Sequence, residues 1–156
     1  MTAPTITRIA DVLAALKTLA EAATAGVVGF EVLDGPRLGE LPWKHLMLGI
    51  TDTPDTPPYT THYSRQEGFG RPRYVEEFTI RCGLTVADGS GNLAGVRAEV
   101  VSILGLLDVA LRDAHTDSGT WDQIGIGEAD MTWYPVPNQD GSTVLVFFSI
   151  EGSSLL

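Results

Sequence analysis

The stretch from Arg73 to Asp113 constrains the fold of this chain more than any other. Apolar and polar residues alternate from Tyr74 to Ala87, which is the pattern of a β-strand with one buried face. A glycine-containing connector follows and ends at Asn92, a residue type that caps helices. Apolar residues then recur every three or four positions, as on one face of a helix. The sequence therefore predicts a very long strand, a short turn and an amphipathic helix.

The only cysteine, Cys82, falls on the apolar face of this predicted strand, together with Phe78 and Leu84. We interpret it as a small core residue and not as a nucleophile. The strand is longer than usual, and Gly83 lies in its middle. Two interpretations stay open: the strand bends or bulges at Gly83, or its amino-terminal half extends past the core and pairs with something else.

The remaining pattern predicts one more helix and four more strands. The two helices and about five strands indicate an α+β fold, a single domain spanning residues 1–156 in which both helices pack on a mostly antiparallel sheet. The strand that contains His45 and the last strand are apolar enough to lie inside the sheet. The predicted elements are a helix over Ile6–Ala23 and strands in Val27–Leu33, Trp43–Thr51, Trp121–Val136 and Thr143–Ile150.

The segment from Asp52 to Pro72 is predicted to be an irregular loop, because it has four prolines and no apolar period. It also contains tyrosines and arginines, which are enriched where proteins contact other proteins. One interpretation is an assembly contact, and the other is a flexible loop with incidental aromatic residues. The candidate assembly residues are Tyr59, Tyr63, Arg65, Phe69, Arg71 and Arg73.

Residues equipped for catalysis are scarce in this sequence. The three histidines, His45, His62 and His115, fall on different predicted elements, and no metal-binding spacing or phosphate-binding glycine loop is present. A serine-hydrolase elbow is absent as well, and a pairing of Cys82 with a distant histidine is the one nucleophilic alternative. We therefore expect no catalytic residue, no cofactor and no metal ion, and a protein that is not an enzyme.

The charge balance is strongly acidic, with 10 basic and 20 acidic residues and a net charge of -10. This disfavours tight nucleic-acid binding, which needs clustered lysine and arginine. Solubility alone is the favoured explanation of the charge, and the alternative is an acidic wall that repels DNA and lets it slide past. The spacing of the acidic group between Asp113 and Asp130 does not fit an EF-hand calcium loop, so we interpret it as a solvated or partner-facing surface, with an adventitious magnesium or calcium site as the alternative.

Compartment signals point to the cytoplasm. A lone cysteine is typical of a reducing environment, and the amino-terminal residues lack the apolar run of a signal peptide. The chain has no uninterrupted apolar segment of membrane-spanning length. We expect no membrane association.

The order of these elements resembles that of the tail terminator proteins of long-tailed bacteriophages with non-contractile tails. The likeness covers the opening helix, the strand ending in Asp34-Gly35-Pro36 and the proline-rich insertion. It continues through the Tyr74–Ala87 strand, the Leu93–Asp113 helix and the two closing strands. The resemblance lies in the order of the elements and the composition of the segments, and not in an invariant motif. The length of the 52–72 loop is the main departure.

The resemblance implies a structural protein of the virion neck, assembled in the host cytoplasm as a ring that is commonly a homohexamer. Such a ring caps the tail tube, ends its polymerisation and provides the surface that joins the head. The implied partners are sibling copies, the tail-tube protein and head-tail connector proteins, with genomic DNA passing through unbound. The alternatives are another neck component, such as a connector, a tail-tube subunit, or a small ligand-binding or enzymatic α+β domain.

Overall fold

A computed structural model describes residues 6–68, 70, 73–114, 119–128, 130–138 and 141–156. It shows two helices packed on one face of a mostly antiparallel seven-stranded sheet, which confirms the α+β class. The elements are α1 (Ile9–Ala23), β1 (Phe30–Asp34), β2 (Lys44–Leu48), β3 (Tyr59–Gln66), β4 (Arg73–Asp88), α2 (Leu93–Asp113), β5 (Gln123–Ile126), β6 (Thr132–Asn138) and β7 (Gly141–Leu155).

Two long antiparallel strands, β4 and β7, form the middle of the sheet. They pair without a break from Val75 opposite Leu155 to Asp88 opposite Ser142. Each has two short strands along its outer edge, so the sheet consists of two rows that share β4 and β7. The five-strand row has the order β1-β2-β4-β7-β6, and the four-strand row has the order β3-β4-β7-β5.

The core lies between the helices and one face of the sheet, which we call the helix face. Every second residue of β4 from Phe78 to Val86 is buried there, and α2 contributes six buried apolar side chains. Each fully buried leucine or valine side chain stabilises the fold by about 1.5–3 kcal/mol relative to an exposed one. Cys82 is completely buried in this cluster, so the prediction that it is a core residue is confirmed.

Several sequence-based predictions need correction. The sheet has seven strands instead of about five, because the 52–72 segment contains β3 and the 121–136 segment contains both β5 and β6. The segment 52–72 is therefore not an irregular loop throughout. The burial pattern of β3 explains the error: seven of its eight residues are exposed, so no buried face imposes an apolar period.

The pairing of the long strand β4 decides between the two interpretations of its length. No bulge occurs at Gly83, which pairs in register with both Met47 and Phe147. The amino-terminal half of β4 pairs instead with β3. The absence of a side chain at Gly83 leaves room for Ile50 and Phe147. A Cβ atom there would lie 3.0 Å from Cγ2 of Ile50 and 3.4 Å from the Phe147 ring.

A buried carboxylate joins α1 to the four-strand row. Glu76 is 1% exposed. The hydroxyl of Thr7 donates to its Oε1 at 2.6 Å, and the backbone N–H of Arg8 donates to its Oε2 at 2.9 Å. Arg8 is the residue that precedes the first turn of α1, so the carboxylate also lies where the helix dipole favours negative charge. Glu77 is exposed on the opposite face, as expected for adjacent strand residues.

Candidate assembly surface

The strand β3 brings three of the predicted assembly residues together. Tyr59, Tyr63 and Arg65 alternate along β3, so their side chains share the face of the strand that continues the helix face. Tyr59 is 37% exposed and Tyr63 is 43% exposed. Two aromatic rings and a guanidinium therefore stand in one line on the surface.

The other predicted assembly residues are placed differently. Arg73 begins β4 opposite Gln66, at the end of the β3–β4 hairpin where the two strands are connected, and its side chain lies on the face opposite that of Arg65. Phe69 and Arg71 lie outside the described residues. The four described candidates thus lie on two different faces of the hairpin.

The backbone of β3 offers a row of unused hydrogen-bonding groups. The Arg81 N–H donates to the Pro58 carbonyl at 2.9 Å, which fixes Thr60, His62, Ser64 and Gln66 as the residues that bond to β4. The alternate residues point their N–H and C=O groups away from the sheet. These are Tyr59, Thr61, Tyr63 and Arg65, and no strand in the described part of the chain pairs with them.

The opposite side of the sheet is protected along most of its length. Residues 133, 135 and 137 of β6 point their backbone groups away from β7, since the intervening residues pair with it. Pro135 and Pro137 have no N–H to donate. Prolines at such positions prevent edge-to-edge association. Only β5, in the four-strand row, has an edge there that is free of proline.

Sequence reasoning identified side chains and missed this backbone edge. The signal was present, because Tyr59-Thr-Thr-His-Tyr63 is rich in residues that favour strands and free of proline. The prolines on either side of it made the whole segment resemble a loop.

The sheet face opposite the helices, which we call the open face, carries charges of both signs in the four-strand row, namely Glu77 and Glu151 together with Arg73 and Arg81. One depression on this face, about 650 Å³ in volume, is lined by the carboxylates of Glu77, Glu128 and Glu151 together with hydroxyl, amide and apolar groups. Among the described residues, no group of three or more His, Cys, Asp and Glu side chains is arranged to hold a metal ion. The three carboxylates around this depression disfavour a bound anion.

The thiol of Cys82 is unsuited to chemistry in the folded protein. Complete burial raises its pKa far above the ordinary value, against a smaller opposing effect of a backbone hydrogen bond from Gly49. Since the thiolate is the reactive form, we expect Cys82 to resist a disulfide reagent at pH 8 in the native protein. The same thiol should react at the rate of a free cysteine in denaturant. Rapid native-state labelling, measured by thionitrobenzoate release, would contradict the burial described here.

Comparisons with known proteins give a fold and no family. No protein-family model and no curated protein matches the chain. One similar solved structure is a chain in "Virion of native gene transfer agent (GTA) particle", with a TM-score of 0.52 and 12% sequence identity. The match covers 97% of this chain and 100% of that one. At this identity, the likeness shows that the two chains share a fold over nearly their whole lengths. No helix among the described residues is long and apolar enough to cross a membrane.

Proposed function

We propose that this protein is a tail terminator: a virion structural protein that closes into a ring, caps the tail tube, ends tube polymerisation and joins the head. The observation that carries this proposal is the fold shared over 97% of the chain with a component of a phage-like particle. The element order of the sequence supports the terminator type in particular. The role is mechanical and needs no catalytic residue, cofactor or metal ion.

The exposed backbone of β3 supports a ring in preference to a monomer. A strand edge of eight residues without proline is a liability for an isolated domain, and pairing with another chain removes it. A contact between different surfaces of identical subunits produces a closed ring when the rotation closes. A homohexamer is the ring size that the resemblance favours.

Charge supports a channel for DNA through such a ring. The open face of the four-strand row contains Glu77 and Glu151 together with Arg73 and Arg81, and the chain as a whole has a net charge of -10. In a ring of such subunits, the net negative charge would repel the phosphate backbone and leave DNA free to slide. Genomic DNA would then pass through without specific binding.

The same fold is compatible with two neighbouring roles, namely a head-tail connector or a tail-tube subunit. The three roles differ in what the ring does to a tube. A terminator binds the end of a preformed tube and stops growth, a tube subunit elongates it, and a connector binds the head side. Negative-stain images of tube ends incubated with the purified protein distinguish them.

The arginines of the β3–β4 hairpin give a mutational test of this role. We expect the Arg65→Glu, Arg73→Glu double variant to fold normally but to lose ring formation, because both side chains are exposed and the change places carboxylates on an already acidic subunit. Mass photometry measures the loss, and tail length and infectivity measure its consequence. A matched control is Arg97→Glu, on the exposed surface of α2. Unaltered assembly in the double variant would refute the contact.

A further inference from the structure

We infer that the free edge of β3 pairs with the free edge of β5 in the next copy of this chain, and that this pairing is the contact that closes the ring. The inference rests on the proposed ring and identifies its interface. It commits to a second copy of the chain as the occupant of the β3 edge.

Strand direction supports this pairing. The four-strand row β3-β4-β7-β5 is antiparallel at each of its three junctions. Because the number of strands is even, β3 and β5 run in opposite directions. A neighbouring copy related by rotation about an axis along the strands therefore presents its β3 antiparallel to β5. The alternation of directions continues across the boundary, and the open faces of all copies stay on the same side.

Position supports it as well, because β3 and β5 border the same row on opposite sides. The Gly127 N–H donates to the Ser149 carbonyl at 2.8 Å, and Gly125 pairs with Glu151, so the odd-numbered residues of β5 bond to β7. The backbone groups of Ile124 and Ile126 then point outward, with no partner strand in the described part of the chain. Backbone pairing with β6 is impeded by Pro135 and Pro137.

Charge also distinguishes the two edges. Exposed basic side chains, Arg65 and Arg73, lie on the β3 side. An exposed carboxylate, Asp122, lies at the start of β5, the end that antiparallel pairing brings toward Arg65. Complementary charges favour the contact of β3 with β5 over the contact of β3 with another β3, which would bring like charges to one seam. The pairing is thus head-to-tail, which is what a ring requires.

Cysteine crosslinking of the full-length chain tests the pairing. His62 and Gln123 are exposed, and both side chains lie on the open face, on β3 and β5 respectively. We expect the His62→Cys, Gln123→Cys double variant to give, on mild oxidation, a ladder of crosslinked oligomers that ends at the ring. His62→Cys, Gly125→Cys tests a register shifted by two residues, and a Cβ atom at Gly125 has no atom within 4 Å. The native Cys82 is buried and does not compete.

The single variants are the matched controls, and each should remain uncrosslinked. Crosslinked dimers from His62→Cys alone would overturn the inference in favour of β3 pairing with itself. Rings seen by mass photometry without crosslinks in either double variant would also overturn it, and would leave the proposed function standing. Absence of any oligomer at high concentration, together with no binding to tube ends, would instead contradict the proposed function itself. Circular dichroism checks that each variant is folded.

Discussion

The Gly152→Val variant is expected to lose about 3 kcal/mol or more of its free energy of unfolding, because the position has no room for a side chain. A Cβ atom there would collide with the backbone oxygen of Gln123 and would lie 2.5 Å from Cζ of Phe78. The first neighbour is backbone of β5 and the second is a buried ring, so neither gives way without moving a strand or repacking the core. Typical domains are stable by only about 5–15 kcal/mol, so this loss should be obvious in urea denaturation.

Gly125 provides the matched control in the adjacent strand. A Cβ atom at Gly125 has no atom within 4 Å, and its backbone has no positive φ angle. Gly125→Ala should therefore change stability by less than about 1 kcal/mol, and in the stabilising direction, since alanine restricts the unfolded chain. Equal urea midpoints for Gly152→Val and the wild-type protein would show that β5 does not press against β7 as described.

The Glu76→Ala variant is expected to be destabilised by about 2–3 kcal/mol, because it removes the acceptor for two hydrogen bonds at a buried site. The Thr7 hydroxyl and the Arg8 backbone N–H both lose their partner. The amino-terminal turn of α1 also loses a favourable negative charge. Thermal unfolding followed by circular dichroism measures the loss. Hydrogen exchange should show the increase in opening at the start of α1.

Its neighbour serves as the control, because Glu77 has the same chemistry and lies exposed on the opposite face. Glu77→Ala should leave stability within about 0.5 kcal/mol of the wild-type value. Glu76→Gln should fall between the two, since an amide oxygen replaces only one of the two acceptors. Equal melting temperatures for Glu76→Ala and Glu77→Ala would contradict the assigned role.

The parts of the fold that were predictable are those in which one face is buried and the other is not. The long strand β4, helix α2 and its Asn92 cap were predicted correctly, and the Asn92 side chain accepts a hydrogen bond from the Gly95 N–H at 3.1 Å. The interior positions of β2 and β7 were also predicted correctly, since both strands are apolar and lie between other strands. The period of the apolar residues indicates which side chains are buried, and burial on one face made these elements predictable.

The parts that were missed have no such contrast. The strand β3 is exposed on both faces, and β5 and β6 are separated by only a few residues, so their composition resembles that of loops. Helix α1 begins at Ile9 and not at Ile6, because Thr7 and Arg8 bond to Glu76 instead of continuing the helix. These two contacts join residues that are 69 and 68 positions apart in the sequence, so a local sequence pattern cannot predict them. The assembly edge was missed for a related reason: it is made of backbone, which every residue possesses.

The prolines of β6 have a consequence for the fate of the protein at high concentration. Chance collisions that involve this half of the sheet gain few main-chain hydrogen bonds and should dissociate quickly. Edge-to-edge association is therefore confined to the remaining strand edges, which reduces the number of non-native contacts that could nucleate fibres. A chain that must assemble into a closed ring and no further benefits when most of one sheet edge cannot form backbone hydrogen bonds with other chains.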